Sequence, residues 1–428
     1  MRAGAARAEI TPPLGTELAG YFNKRFSKGA HDPLYAKALV VEERGEAAAI
    51  IVCDVIALAR QMVEAIRAAA GAAAEVAPER ILVAATHTHL APVTLPIFQS
   101  EPAADWLAAL PARAAEAAAE ARSRMRQADL RAGATHVEGL GFNRRYRMRD
   151  GSVRTNPGVG SPDIVEPAGP TDPELIVMAF GAAGEAPAAI IANYTCHLDT
   201  IGGDLVSADY PAYLAQTVRA ALPDTEVLFL YGAAGDINHI NVNEIPPRFA
   251  GVERARWMGS VLAEQTLALL PDLRPSPGPV RVASQMLPVS IRRPSPEDAE
   301  AGRRVLAGMA GAGSLDAEAI YAREAALVAE LASVIEMEMM ALRLGGCGIA
   351  TFPGEVFVEL GLEVKRRSPF SPTLISTVAN GYEGYIATRK AYDEGGYEVR
   401  LARSSKVAPG AGEQMVEALL GLLDRLAD

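Results

Sequence analysis

Short apolar runs that stop on reactive side chains constrain this chain more than any other feature. Ile81-Leu82-Val83-Ala84-Ala85 follows Pro78-Glu79-Arg80 and leads straight into Thr86-His87-Thr88-His89. Five apolar residues behind a proline turn read as a buried strand. Side chains two apart in extended backbone point the same way, so His87 and His89 are expected to present two imidazoles from one strand end. Such a pair can hold a divalent metal, or hold it with one ring and move protons with the other. Loop histidines satisfied by backbone groups are the plainer alternative.

The pattern recurs. Residues 48–52 run into Cys53-Asp54, 188–194 into Thr195-Cys196-His197, and 226–231 into a small-residue turn carrying Asp236 and His239. Residues 347–352 precede Glu355, and 373–378 precede Tyr382 and Tyr385. If these strands share a sheet edge, their ends gather metal-ligand chemistry at one place, as strand ends do in α/β sheets. Two imidazoles and a carboxylate are the usual minimum for a zinc site with a position open to water, and zinc there favours amide or ester hydrolysis. Each residue also has an ordinary role: His197 as a hydrogen-bonded core histidine, Glu355 as a cap for the next helix, the tyrosines as packing.

Between these runs the pattern predicts a strand pair over 36–41 and 48–52, a helix over 60–74, and helical sequence over 103–126 broken in two at Pro111. Residues 150–173, with five prolines, read as a long irregular excursion. Helices are expected over 208–221, 251–270 and 411–426, and from Ser295-Pro296-Glu297-Asp298 to about 334 with glycine breaks at 308, 311 and 313. Strands are expected over 174–180, 280–291 and 335–344. The fold class that follows is α/β, with layered mixed sheets flanked by helices. No repeat or seam divides the chain, so one domain over 1–428 is expected.

Composition narrows the partners. A formal charge of −11 would repel a phosphate backbone, which argues against nucleic acid. The basic cluster Arg144, Arg145, Arg147 and Arg149 reads as a solvated loop pairing with Asp150, with an anionic substrate group as the alternative. No apolar stretch nears the roughly 18–20 residues of a membrane span. The charged N-terminus lacks a signal-peptide centre, so a cytoplasmic location is expected. Cys53, Cys196 and Cys347 fit reduced, packed thiols.

Taken in order, Ala85-Thr86-His87-Thr88-His89, Tyr194-Thr195-Cys196-His197, Gly235-Asp236-Ile237-Asn238, Phe352-Pro353-Gly354-Glu355 and Asn380-Gly381-Tyr382-Glu383-Gly384-Tyr385-Ile386-Ala387-Thr388 resemble the catalytic N-terminal domain of the neutral (non-lysosomal) ceramidases. Glu9-Ile10-Thr11-Pro12 and Gly20-Tyr21 extend the resemblance over residues 1 to about 400. It implies Zn2+ bound by His87, His197, Glu355 and Tyr385, with His89 as proton shuttle and Tyr397 beside the oxyanion. Asp236 and Asn238 join the catalytic candidates, Asn238 standing where the family has a serine. The implied reaction is attack of zinc-bound hydroxide on an amide carbonyl, with a small-molecule substrate, either an N-acyl lipid or something more polar. Leu90-Ala91-Pro92-Val93 replaces the family's glycine-rich turn, and the family's C-terminal immunoglobulin-like domain has no counterpart here. The alternatives are a hydrolase for non-lipid esters or sugar derivatives, and a non-catalytic protein that binds metal or ligand on the same fold.

Overall fold

A computed structural model describes residues 1–182, 184–308 and 315–428. Three sheets carry the architecture. The first has the order β4-β3-β2-β1, from β1 (Arg2–Glu9), β2 (Tyr35–Glu43), β3 (Glu46–Cys53) and β4 (Ile81–Ala85), with the short strand Arg126–Gln127 on the outer edge of β1. β2 and β3 are the expected antiparallel pair, closed by Arg44 and Gly45, both at positive φ. That turn geometry matches the twist of a two-residue hairpin. Helix α1 (Arg60–Ala74) then carries the chain back so that β4 lies parallel to β3.

The second sheet has the order β8-β7-β6-β5, from β5 (Asp129–His136), β6 (Glu174–Gly181), β7 (Ala189–Tyr194) and β8 (Glu226–Tyr231), and β8 is parallel to β7 across helix α3 (Tyr210–Ala221). The third runs β9-β10-β11-β12, from β9 (Val280–Ser290), β10 (Val334–Leu344), β11 (Cys347–Phe352) and β12 (Thr373–Thr377). The remaining helices used below are α2 (Ala104–Ser123), α4 (Gly251–Leu269), α5 (Pro296–Gly308), α6 (Ala317–Ala329), α7 (Val358–Arg367) and α8 (Ala411–Ala427).

Period-two alternation decides what each face covers. Leu39 and Val41 of β2, Ile176 and Met178 of β6, and Met340 and Leu342 of β10 belong to one interior shared by all three sheets. Their neighbours Ala38, Val40, Leu175 and Val177 pack outward with residues of α1 to α4, while Met339 and Ala341 pack with α7 and α8. Two buried asparagines stitch the sheets together. Asn193 Nδ2 donates to Leu230 O (2.8 Å) and Ile375 O (2.9 Å), and Asn380 exchanges two hydrogen bonds with the backbone of Val83 at 2.7 and 3.0 Å.

Several expectations change. The reactive strand ends do not share one sheet edge: β3 and β4 lie in the first sheet, β7 and β8 in the second, β11 and β12 in the third. The asparagine seams, rather than one ladder, bring those ends together. Helix α2 runs unbroken through Pro111, because Leu110, Ala114, Ala117, Ala118 and Ala121 bury a continuous face that outweighs the lost amide donor. Residues 150–173 are not wholly irregular; Val153–Thr155 and Ile164–Pro167 pair on either side of Arg145–Met148. The stretch from Ser295 holds α5 and α6 and ends in β10 from Val334; Gly311 and Gly313 lie outside the described residues. All three cysteines are free and buried.

Candidate active site

Past Ala85 the backbone leaves the extended path, and His87 takes φ +71°, a left-handed conformation that costs a non-glycine residue about 1–2 kcal/mol. The simple i, i+2 alternation therefore fails here. His87 and His89 still meet, their ring centroids 5.2 Å apart, because His87 N is held by Val55 O (2.9 Å) and His89 N by Leu198 O (3.2 Å). His197, three residues past the end of β7 at Tyr194, closes the group, with its ring 4.7 Å from His87 and 5.0 Å from His89.

Second partners orient the rings. His87 Nδ1 lies 2.7 Å from Ile56 O and His89 Nδ1 lies 3.1 Å from Gly20 O. A carbonyl can only accept, so both rings carry their proton on Nδ1 and turn an Nε2 lone pair inward. His197 Nδ1 faces Ala234 O at 3.3 Å and the Tyr231 hydroxyl at 3.0 Å, and its Nε2 is 3.1 Å from His89 Nε2. One nitrogen from each ring falls within 4.8 Å of the others. Burial pushes His89 down to about 4, with His87 beside it acting in the same direction, and burial also lowers His197 well below the usual histidine range. Neutral imidazole is the form that binds a metal.

Glu355 enters on a two-residue strand, Glu355–Val356, parallel to Tyr385–Ile386, in a register that pairs Glu355 with Tyr385. Gly235 packs against the Glu355 backbone so closely that a Cβ there would sit 2.6 Å from Glu355 O. The small residues after β8 thus admit the chain that delivers the carboxylate. Glu355 Oε1 accepts from the Tyr382 hydroxyl at 2.6 Å, and Oε2 lies 3.3 Å from His87 Nε2 and 3.8 Å from His197 Nε2. Burial raises this carboxyl, while the hydroxyl of Tyr382 donating to it acts the other way, as positive charge beside His87 and His197 would.

His87, His89, Glu355, Tyr382, Tyr385 and Tyr397 all line one small cavity. The Tyr385 hydroxyl accepts from Arg144 Nη2 at 3.0 Å, and the Tyr397 ring stands edge-on to Tyr385 at 5.6 Å. Burial lifts the Tyr385 hydroxyl well above the usual phenol range while Arg144 pulls the other way. Asp236 and Asn238 lie outside that lining. Asp236 accepts from Val358 N (2.8 Å) and Asn143 Nδ2 (3.0 Å), and Asn238 Nδ2 donates to Asn156 (2.8 Å). The cap at the start of α7 is therefore Asp236 and not Glu355. Asp54 binds Tyr35 N and Lys37, and His239 faces Asp199 at 3.4 Å.

The arginine cluster divides. Arg144 and Arg145 are buried on Glu398, Arg147 pairs with Glu394, and Asp150 pairs with Arg154 instead. Nothing local marks Arg144 apart from Arg149, because its partner Glu398 is 254 residues away. Tyr382, named as a strand-end residue but given no role, stands behind Glu355, and Tyr231, which the sequence reading left out, stands behind His197.

Comparison with solved structures identifies the fold. A crystal structure of neutral ceramidase from Pseudomonas aeruginosa superposes with a TM-score of 0.76 at 17% identity, over 99% of this chain and 74% of that one. The chain has the neutral ceramidase fold. A second structure, a ceramidase complexed with C2, agrees at TM-score 0.76 and 17% identity, over 100% of this chain and 75% of that chain. No protein-family model and no curated protein matches the sequence. Within this neutral ceramidase fold the three histidines form a group able to hold a metal ion. Among the described residues, no helix is long and apolar enough to cross a membrane.

Proposed function

We propose that this chain is a zinc-dependent amidohydrolase of the neutral ceramidase type, acting as one hydrolase unit over residues 1–428. The observation that carries the reading is the meeting of His87 Nε2 and Glu355 Oε2. Both atoms are buried without a hydrogen-bond partner, and both are acceptors. Two buried acceptors at this distance are balanced only by a proton or a cation between them. One proton cannot also serve the His89 and His197 nitrogens, whereas a cation can.

His87, His197, Glu355 and Tyr385 are the residues that would hold the ion, a nitrogen and oxygen donor set that suits zinc. Zinc so held supplies an acidified water and a polarised carbonyl. His89, neutral and tied to Gly20 O, is placed to take a proton at Nε2 and return it to the leaving amine. Tyr397, which lines the cavity, would donate to an oxygen that gains negative charge. Arg144 fixes Tyr385, and Tyr382 fixes Glu355.

Metal analysis of the purified protein, with zinc titration of wild type and His87→Ala, tests the reading. About one zinc per wild-type chain and a large loss in the variant is the expected result, together with hydrolysis of N-acyl compounds. Equal zinc content in the two proteins would remove the basis for the assignment. Bound zinc without hydrolysis of amides or esters would leave the non-catalytic alternative.

A further inference from the structure

The cavity beside the metal-ligand group measures about 30 Å³. That is room for water-sized groups, against roughly 300–1,000 Å³ for pockets that take drug-sized ligands. Ile97 and Phe98 supply apolar lining, and further aromatic rings pack against Phe98. Phe22 lies 4.5 Å from Phe98, 6.0 Å from Tyr321 and 6.3 Å from Tyr397. Arg400 sits 3.7 Å over the Tyr321 ring and pairs with Glu318, so the backing ring is itself held.

The backbone under Phe98 is held as firmly. Phe98 takes φ +50°, an outlier for a bulky residue, and Arg323 of α6 donates to its carbonyl oxygen. Gln99 next to it donates to Phe22 O (3.1 Å) and accepts from Leu315 N (3.0 Å). Three separate parts of the chain, around residues 22, 98 and 321, thus converge to place one phenyl ring against the site. Strain of this kind persists only where the surroundings enforce it, and it concentrates at functional sites.

We propose that Phe98, backed by Phe22 and Tyr321, is an aromatic stopper that limits the acyl part of the substrate to a short chain, acetyl-sized rather than fatty. This rests on the hydrolase reading above and narrows it to short-chain N-acyl compounds. Phe98 acts by exclusion and takes no part in bond making.

The test uses the zinc-loaded full chain with acetohydroxamate and octanohydroxamate, two probes with one metal-binding head and different tails, measured by calorimetry. Because an extra methylene group in an apolar pocket changes affinity by about 10-fold or more, wild type should favour the acetyl probe at least about tenfold. Phe98→Ala should shift the octanoyl-to-acetyl ratio toward octanoyl by about tenfold or more. Tyr321→Ala, which removes the backing and leaves Phe98 in place, should shift it the same way and serves if the first variant does not fold. Equal or tighter octanoyl binding by wild type, an unchanged ratio in both variants, or no binding of either probe overturns the stopper. Hydrolysis of N-acetyl and N-octanoyl amides of one fluorogenic amine separates the two readings. Acetyl-selective binding without hydrolysis sinks the hydrolase and leaves the stopper, and hydrolysis that favours octanoyl does the reverse.

Discussion

His89 Nε2 stands 3.1 Å from His197 Nε2, inside the same group that sets His87 Nε2 3.3 Å from the Glu355 carboxylate. A cluster of inward nitrogen lone pairs beside a carboxylate repels itself unless positive charge lies among them. The first prediction is that zinc stabilises the fold. Ligand at 100 times its Kd adds about 2.7 kcal/mol, so thermal unfolding of chelator-treated protein should move up by several degrees when zinc returns. His87→Ala should show no such shift, and an equal rise in both proteins would contradict the site.

Tyr382 is predicted to tune the ion rather than hold it. Its hydroxyl donates to Glu355 Oε1 at 2.6 Å, the oxygen turned away from His87. Losing a partner of this kind typically costs about 10- to 100-fold in metal affinity. Tyr382→Phe, titrated with zinc against a competing chelator, should fall in that range with little change in the melting temperature of the zinc-free protein. Unchanged affinity would show that Glu355 needs no such support.

Asp236 should prove a structural residue. Its carboxylate closes the start of α7 through Val358 N and holds Asn143, so Asp236→Ala should lose about 1–2 kcal/mol of stability, the usual cost of a lost helix cap. Zinc stoichiometry should survive the change. A variant as stable as wild type but without zinc would place Asp236 in the metal site instead.

Asp32 gives a pH dependence. It accepts from Ser207 and Ala208 N, and burial, outweighing those donors, raises its carboxyl from 3.8 to about 6. A folded value above the unfolded one means that the group's contribution is complete below about pH 4 and fades as pH rises through about 6. Two pH units correspond to about 3 kcal/mol. Asp32→Asn, which cannot ionise, should gain on wild type by roughly 2–3 kcal/mol between pH 4 and pH 7 in urea unfolding. A flat difference across the range would refute the assignment.

The local pattern was enough to place β4, α1 and β8 to the residue, because a short apolar run and a helix built mostly of alanine and other good helix formers depend on neighbours in sequence. It was also enough to nominate His87, His89, His197, Glu355 and Tyr385, since reactive side chains just past buried strands have few places to go, whereas Tyr397 was implied only by the family resemblance. It misjudged Pro111 and the arginine cluster for one reason: a helix packed along its whole face tolerates a proline, and a guanidinium 254 residues from its carboxylate carries no local mark of burial. Only the tertiary structure decided that three sheets, joined through Asn193 and Asn380, bring His87, His89, Glu355 and Tyr385 to one cavity, and that Phe98 is part of its lining. Those outcomes depend on contacts between distant segments, where packing and buried hydrogen bonds override the alternation that neighbouring residues can signal.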